Sequence, residues 1–294
     1  MIVAFDTVNP STVRTFHDVV DRLQGAGATV TVVDSGDTRL RHSVTGEARV
    51  VTAEDVSAGA VIGIGHYAAT GSALWRLSRR RNSRFFVLQH GLLTPFAPPL
   101  PHGARLLAWS SDDAAFWTAD RSDAHATAVG SHMLSSARAE STASSAAPDT
   151  DRPLFLGQMH GAELSWSVKI RSALEFCRDT GALYRPHPSE TSQLSHAAHS
   201  ALRVAGVEID TSPSPLSEWN GPVVGMFSTG LLEAAVAGQR TFGYAAPAPQ
   251  WVEEFWTRYQ IGRWPDSPTR LDESLAPRDP DAVVRMIVDE VGTQ

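Results

Sequence analysis

Twice along the chain a short apolar or β-branched run gives way to an amphipathic stretch at helical spacing, and then to another apolar run. Strands joined through helices pair in parallel, and a parallel sheet must be covered by helices on both faces. In the first passage, Ile2–Phe5 reads as a strand. Ser11 then caps a helix that carries Phe16, Val19, Val20 and Leu23, and Gly25 and Gly27 stop it. Thr29–Val33, Ala60–Ile64, Phe85–Gln89, Leu106–Trp109 and Ala126–Val129 read as further strands, with helices over Ala69–Arg80 and Asp112–Thr118.

Ser135–Arg152 changes character. It is rich in Ser, Ala, Thr and Asp, contains Pro148 and has no large apolar residue, so it reads as a linker. The alternation restarts with strands at Leu154–Leu156, Ala182–Tyr184, Val207–Ile209, Val223–Phe227 and Thr241–Tyr244. Helices are expected at Val168–Phe176, Glu190–Val204, Leu231–Val236, Trp251–Tyr259 and Asp281–Val291. The expected organisation is a first domain over 1–134, a linker over 135–152 and a second domain over 153–294 that includes the closing helices. A length of 294 residues suits two domains. The expected fold class is α/β: two Rossmann-like halves facing each other across a cleft, with the ligand at the carboxyl ends of the strands.

Composition narrows the function. A net charge of −7, from 25 basic and 32 acidic residues, argues against a general nucleic-acid binder. Cys177 is the only cysteine, which excludes an intrachain disulfide and a multi-cysteine zinc site. The apolar start ends at Asp6, too early for a signal-peptide core, and no stretch nears the roughly 20 apolar residues of a membrane span. The expectation is a cytoplasmic protein. Arg76, Arg79, Arg80, Arg81 and Arg84 read first as a solvated helix face and loop, and peripheral contact with the inner face of the membrane stays open beside that reading.

The residues suited to chemistry follow strands. In Gln89-His90-Gly91, a histidine titrating near neutrality can take a proton from a hydroxyl, and Gly91 lets backbone approach a substrate. In Tyr184-Arg185-Pro186-His187-Pro188, two prolines stiffen a loop that holds Arg185 and His187 as donors to a phosphate. In Phe227-Ser228-Thr229-Gly230-Leu231-Leu232-Glu233, hydroxyls and free N–H groups at a helix start suit an anion, and Glu233 can accept from ribose hydroxyls. Taken alone, that third segment is better explained by plain helix capping, and it gains weight only from the other two. Gln158 and His160 follow the first strand of the second half, and His66 follows a strand of the first; each is either a turn residue or a ligand contact. The histidines are too scattered to expect a metal. No P-loop and no Gly-x-Ser-x-Gly elbow is present.

Val87-Leu88-Gln89-His90-Gly91, with Ala108-Trp109-Ser110 and Asp113-Ala114-Ala115-Phe116-Trp117, resembles the first half of GT-B transferases that use cytidine-activated donors. These are bacterial sialyl- and polysialyltransferases and teichoic-acid glycerophosphotransferases. Arg185-Pro186-His187-Pro188 resembles their His-Pro motif, and Ser228-Thr229 their paired hydroxyl motif; both contact the donor phosphate in that family. The resemblance spans roughly Phe85 to Gly243.

It implies a metal-independent transferase in cell-envelope glycan or polysaccharide synthesis, with no cofactor beyond its substrate. Its partners would be a nucleotide-activated donor and a glycan or lipid-linked acceptor, with no nucleic acid; a homodimer stays open. The catalytic residues would be His90 and His187, donor contacts would come from Arg185, His187, Pro188, Ser228, Thr229, Gly230, Glu233, Gln158 and His160, and acceptor-side contacts from Asp6, His66 and Gly91. Several sialyltransferase groups carry an acidic Asp/Glu-Asp/Glu-Gly base motif in the first half. This chain has none there, so the base falls to His90 or Asp6. A sugar-nucleotide 2-epimerase and a non-catalytic nucleotide or glycan binder are the alternatives.

Overall fold

The computed structural model describes residues 2–5, 10–34, 59–141, 151–212, 214 and 216–292. Strands are β1 (Ile2–Phe5), β2 (Thr31–Asp34), β3 (Ala60–Gly63), β4 (Arg84–Leu88), β5 (Arg105–Ala108), β6 (His125–Ala128), β7 (Leu154–Leu156), β8 (Leu183–Arg185), β9 (Val223–Gly225) and β10 (Thr241–Gly243). Helices are α1 (Pro10–Gly25), α2 (Ala69–Arg80), α3 (Ser111–Trp117), α4 (His132–Ser141), α5 (Trp166–Thr180), α6 (Gln193–Val204), α7 (Thr229–Val236), α8 (Gln250–Arg258) and α9 (Pro280–Gly292). The chain divides into two compact units. One comprises Met1–Leu93, Ala97–Ser136 and Ser274–Gln294, the other Thr94–Phe96 and Ala137–Glu273.

The first unit is built on a parallel sheet of order β2-β1-β3-β4-β5-β6. Side chains alternate across a strand. Ile62, Phe86, Leu88 and Leu107 therefore enter one core with Phe16, Val19, Val20 and Leu23 of α1. Their neighbours Val61, Phe85, Val87 and Leu106 enter a second core with Leu74 and Leu77 of α2. Both faces are apolar, as a sheet covered on both sides requires. The chain goes from β1 outward to β2 and returns to β3 on the other side of β1, which makes the β1/β3 boundary the switch point of the sheet.

The second unit repeats the plan with a parallel sheet of order β10-β9-β7-β8. Single bridges extend it at both edges, Tyr184 to Ile209 and Gly243 to Arg263. With those bridges the order matches the dinucleotide-binding pattern, and the switch point lies between β7 and β9. The core is aromatic. Phe155 packs on Phe176 and Tyr184, and Phe176 packs on Tyr244 and Trp264. Gly243 lies directly under the Trp256 indole, where a Cβ would come within 2.5 Å of the ring. That indole donates to the Met226 carbonyl at 2.7 Å.

Three expectations are corrected. Ser135–Ser141, read as linker, is the body of α4: Leu134, Ser135 and Ser136 are buried, and Ala, Arg and Glu are good helix formers without any large apolar residue. Residues 142–150 of the expected linker lie outside the described residues. The closing helix, read as part of the second domain, packs in the first unit. Val283, Val284, Ile287 and Val291 of α9 join the α1 core, because their apolar stripe meets Phe16 and Val20 there. The helix expected from Glu190 begins at Gln193, where Ser192 caps it by accepting the Ser195 N–H. Among the described residues, no helix is long and apolar enough to cross a membrane.

The placement of α9 has a measurable consequence. Ile287→Ala removes a fully buried side chain and should destabilise the first unit by about 2–5 kcal/mol. Hydrogen exchange should show the loss of protection in α1, β3 and β4. Loss centred on residues 154–243 instead would contradict the packing.

Candidate functional site

The second unit gathers its chemistry at the carboxyl ends of β7, β8 and β9, around one buried carboxylate. His187-Pro188-Ser189-Glu190 forms a β-turn closed by the Glu190 N–H donating to the His187 carbonyl at 2.9 Å. Proline suits the second position of such a turn. The turn swings the Glu190 carboxylate inward, where its side chain is fully buried. There it accepts from the N–H of Met159 at 2.9 Å, the N–H of His187 at 3.1 Å and the Tyr184 hydroxyl at 3.0 Å. The two N–H groups are on Oε1, and His199 Nε2 lies 2.5 Å from Oε2, the oxygen that accepts the tyrosine hydroxyl. One carboxylate thus pins the loop after β7 to the loop after β8.

Gly157 makes room for this arrangement. A Cβ there would come within 2.5 Å of the Tyr184 hydroxyl and 2.6 Å of the Glu190 carboxylate. Opposite, the ammonium of Lys169, a fully buried side chain of α5, donates to the carbonyls of His160 at 2.7 Å and Gly161 at 2.8 Å. Burial lowers its pKa, with Glu163 and Glu190 opposing. Held from both sides, the imidazoles of His160 and His187 stack at 4.1 Å between centroids. The N–H of Ser189 donates to His187 Nδ1 at 3.0 Å, which puts the ring proton on Nε2. Burial lowers the pKa of both imidazoles.

Ser228 caps α7 by accepting the Gly230 N–H at 3.2 Å, and Thr229 and Gly230 form its first turn, half-buried. Glu233 follows one turn on, and burial raises its pKa. Gln158, two residues before His160, ties the loop after β7 to the loop that leads into α7. Its amide accepts the Phe227 N–H at 2.8 Å and donates to the Phe227 carbonyl.

Two expected donor contacts are differently employed. Gln158 is buried and spends both ends of its amide on Phe227. Arg185 is the last residue of β8, and its guanidinium is paired with Asp210 at 2.5 Å, with Ser212 and the Ser214 carbonyl beside it. The sequence reading overlooked Glu190 and Lys169. Both left a trace: Glu190 stands three residues after the histidine of the Pro-flanked turn, and Lys169 is the only lysine in a chain that otherwise uses arginine.

In the first unit, Gln89 organises the loop after β4. Its amide donates to Asp113 at 2.8 Å and to the Gly91 carbonyl at 3.1 Å, and it accepts the Trp109 N–H at 2.8 Å. His90 follows, and burial lowers its pKa, the Leu88 carbonyl opposing. It borders a pocket of about 340 Å³, part of it open to solvent, with Trp109, Ser131, His132 and Thr15. Tyr67 Oη lies 3.5 Å from His90 Nε2. His66 stands at the β3 end of the switch point, its ring against Trp75 at 5.3 Å. Gly91 has open space where a Cβ would be, so the fold itself does not demand glycine there. Asp6 lies outside the described residues. Among the described residues, no group of His, Cys, Asp and Glu is placed to hold a metal. Arg76, Arg79, Arg80 and Arg81 are exposed, while Arg84 donates to the Val291 carbonyl at 3.1 Å.

No protein-family model matches the chain, and no curated protein matches it. Solved structures do match in fold. A UDP-N-acetylglucosamine 2-epimerase from Rickettsia bellii superposes with a TM-score of 0.61 at 11% identity, covering 99% of this chain and 96% of the other. A glycosyltransferase from Rickettsia africae ESF-5 gives 0.58 at 11% identity, covering 99% and 97%. An MnaA–UDP complex from S. aureus gives 0.53 at 10% identity, covering 99% and 87%. The chain therefore has the GT-B type of build, two Rossmann-like parallel-sheet domains in succession.

Three half-buried histidines set a pH dependence. His90, His160 and His187 have folded-state pKa values below the unfolded value of about 6.5. The unfolded chain then binds more protons, so stability is full above about pH 6.5 and is lost as pH falls below it, until the folded-state groups protonate. The melting temperature should drop between pH 7.5 and 5.5, and by less in the His160→Asn/His187→Asn double variant. An equal drop in both proteins would disprove the contribution of this pair.

Proposed function

We propose that the chain is a nucleotide-sugar-dependent enzyme of the glycosyltransferase type, whose second unit holds the nucleotide. The observation that carries the reading is the Gln158 tie that joins, at the switch point of the second sheet, the loop leading to the stacked His160 to the loop leading into the capped start of α7. In open α/β sheets that crevice is where ligands bind. His187 offers Nε2–H as a neutral donor to a phosphate oxygen. The first turn of α7, with Ser228, Thr229 and Gly230, adds N–H groups and the positive end of a helix dipole. Glu233, with its raised pKa, accepts from ribose hydroxyls. Pro188 fixes the turn, and Gln158 and Arg185 hold their loops in place. On the first unit, His90 remains unprotonated at neutral pH and is suited to take the proton of an acceptor hydroxyl; His66, Gly91 and Asp6 complete the acceptor side in this reading.

The His-Pro and Ser-Thr segments resemble those of cytidine-using transferases, while two of the solved structures of this fold are named for UDP or a UDP-sugar. We therefore assign a pyrimidine nucleotide, the donor of a sugar or polyol phosphate for an envelope glycan. A 2-epimerase is the second reading, favoured by the likeness in fold to the Rickettsia bellii UDP-N-acetylglucosamine 2-epimerase.

Thermal melts with CMP, CDP, UDP, GDP and ADP test this. A ligand at 100 times its Kd adds about 2.7 kcal/mol. A cytidine or uridine nucleotide should raise the melting temperature, and His187→Ala should abolish the rise without lowering the melt of the free protein by more than a few degrees. Cytidine alone favours the transferase. Conversion of UDP-N-acetylglucosamine without an acceptor favours the epimerase. No shift with any nucleotide sinks both.

A further inference from the structure

We propose that His160 is the proton carrier of the second unit's site: a nucleoside diphosphate held by His187 draws one proton from solvent onto His160, and the buried Glu190 carboxylate balances it. The inference rests on the nucleotide reading above. It begins with the stack. Two imidazolium rings 4.1 Å apart in a half-buried setting repel, so the pair carries at most one charge. Geometry decides which ring carries it. His187 Nδ1 already accepts the Ser189 N–H, and a proton placed there would face that donor head-on, so His187 stays neutral. His160 Nδ1 is buried, has no hydrogen-bond partner among the described residues and stands 4.0 Å from Glu190 Oε1. A proton on that nitrogen lies within ion-pair distance of the carboxylate.

The groups facing His160 are balanced closely enough for a ligand to tip them. Burial is the largest influence and keeps the ring neutral in the free protein. Glu190 and Glu163 favour the cation, and the Lys169 ammonium, bonded to the His160 carbonyl, disfavours it. His187 is the remaining neighbour and is neutral. A diphosphate brings two or more negative charges to His187 Nε2, next to the stacked ring, and moves the balance to the cation. The proton comes from solvent, and no bond of the ligand breaks in this step. A departing phosphate is then met by an imidazolium rather than a neutral ring, which offsets the charge that develops on it.

Calorimetry of UDP and CDP binding at pH 7.5, in buffers of different ionisation enthalpy, measures the proton directly. The wild-type protein should take up close to one proton per nucleotide, and its affinity should fall by up to about tenfold per pH unit above neutrality. His160→Asn should still bind but with uptake near zero and a flat pH profile. Glu190→Gln should reduce uptake, and a normal melt of His160→Asn keeps the test independent of whether Glu190→Gln folds. Binding without uptake, or uptake unchanged in His160→Asn, overturns this inference alone. If neither UDP nor CDP binds the folded wild-type protein, the nucleotide reading falls and the inference with it.

Discussion

A carboxylate with no access to water must have its charge met by donors, and in this protein that requirement shapes the candidate site. Glu190 is satisfied by two backbone N–H groups from two different loops, by the Tyr184 hydroxyl and by its close contact with His199. Burying a charge without such partners costs several kcal/mol, so none of the four can move independently. Tyr184 in turn is locked by Phe155, and His199 by its place on α6. The stiffness of the aromatic core is thereby passed to the loops that present His160 and His187.

Lys169 supplies the opposite charge on the other side of the same loop. An ammonium that donates to two carbonyls holds the backbone of His160 and Gly161 while leaving the imidazole free to respond to what binds. The two buried charges stabilise each other through the loop between them, which explains why a fully buried lysine persists in α5. Gly157 belongs to the same device, since any side chain there would displace the tyrosine or the carboxylate. In the first unit a neutral group does comparable work: the Gln89 amide joins Trp109, Asp113 and the Gly91 carbonyl, and so sets the direction of His90.

The two sheets explain why the sites lie where they do. Each reverses direction once, at β1/β3 and at β7/β9, and the reversal opens a crevice at the carboxyl ends because the flanking connections leave to opposite sides. His66 stands at the first of these, and Gln158, His160 and Ser228 at the second. An enzyme built on this plan can change its chemistry through a handful of loop residues while the apolar strands stay as they are.

The alternation of apolar runs and helical periods was enough to place α2 at Ala69–Arg80, β7 at Leu154–Leu156 and the doubly covered sheets, because local periodicity records which faces are buried. It was also enough to put His187 and Ser228 after strands. Composition misled at Ser135–Ser141, where small residues pack a helix without any large apolar side chain. Position along the chain could not tell that α9 completes the first unit, since a stripe of Val and Ile fits any apolar surface of the right shape. Nor could it show that Arg185 is taken by Asp210, or that Gln158 is a brace between loops. Those pairings join residues 25 and 69 positions apart, and only the folded chain brings them together. The sequence determines which segments can be strands and helices and which side chains can carry a proton or a charge. Tertiary structure alone decides which of those groups are spent on holding the fold and which are left for a ligand, because that depends on partners that meet only after the chain has closed.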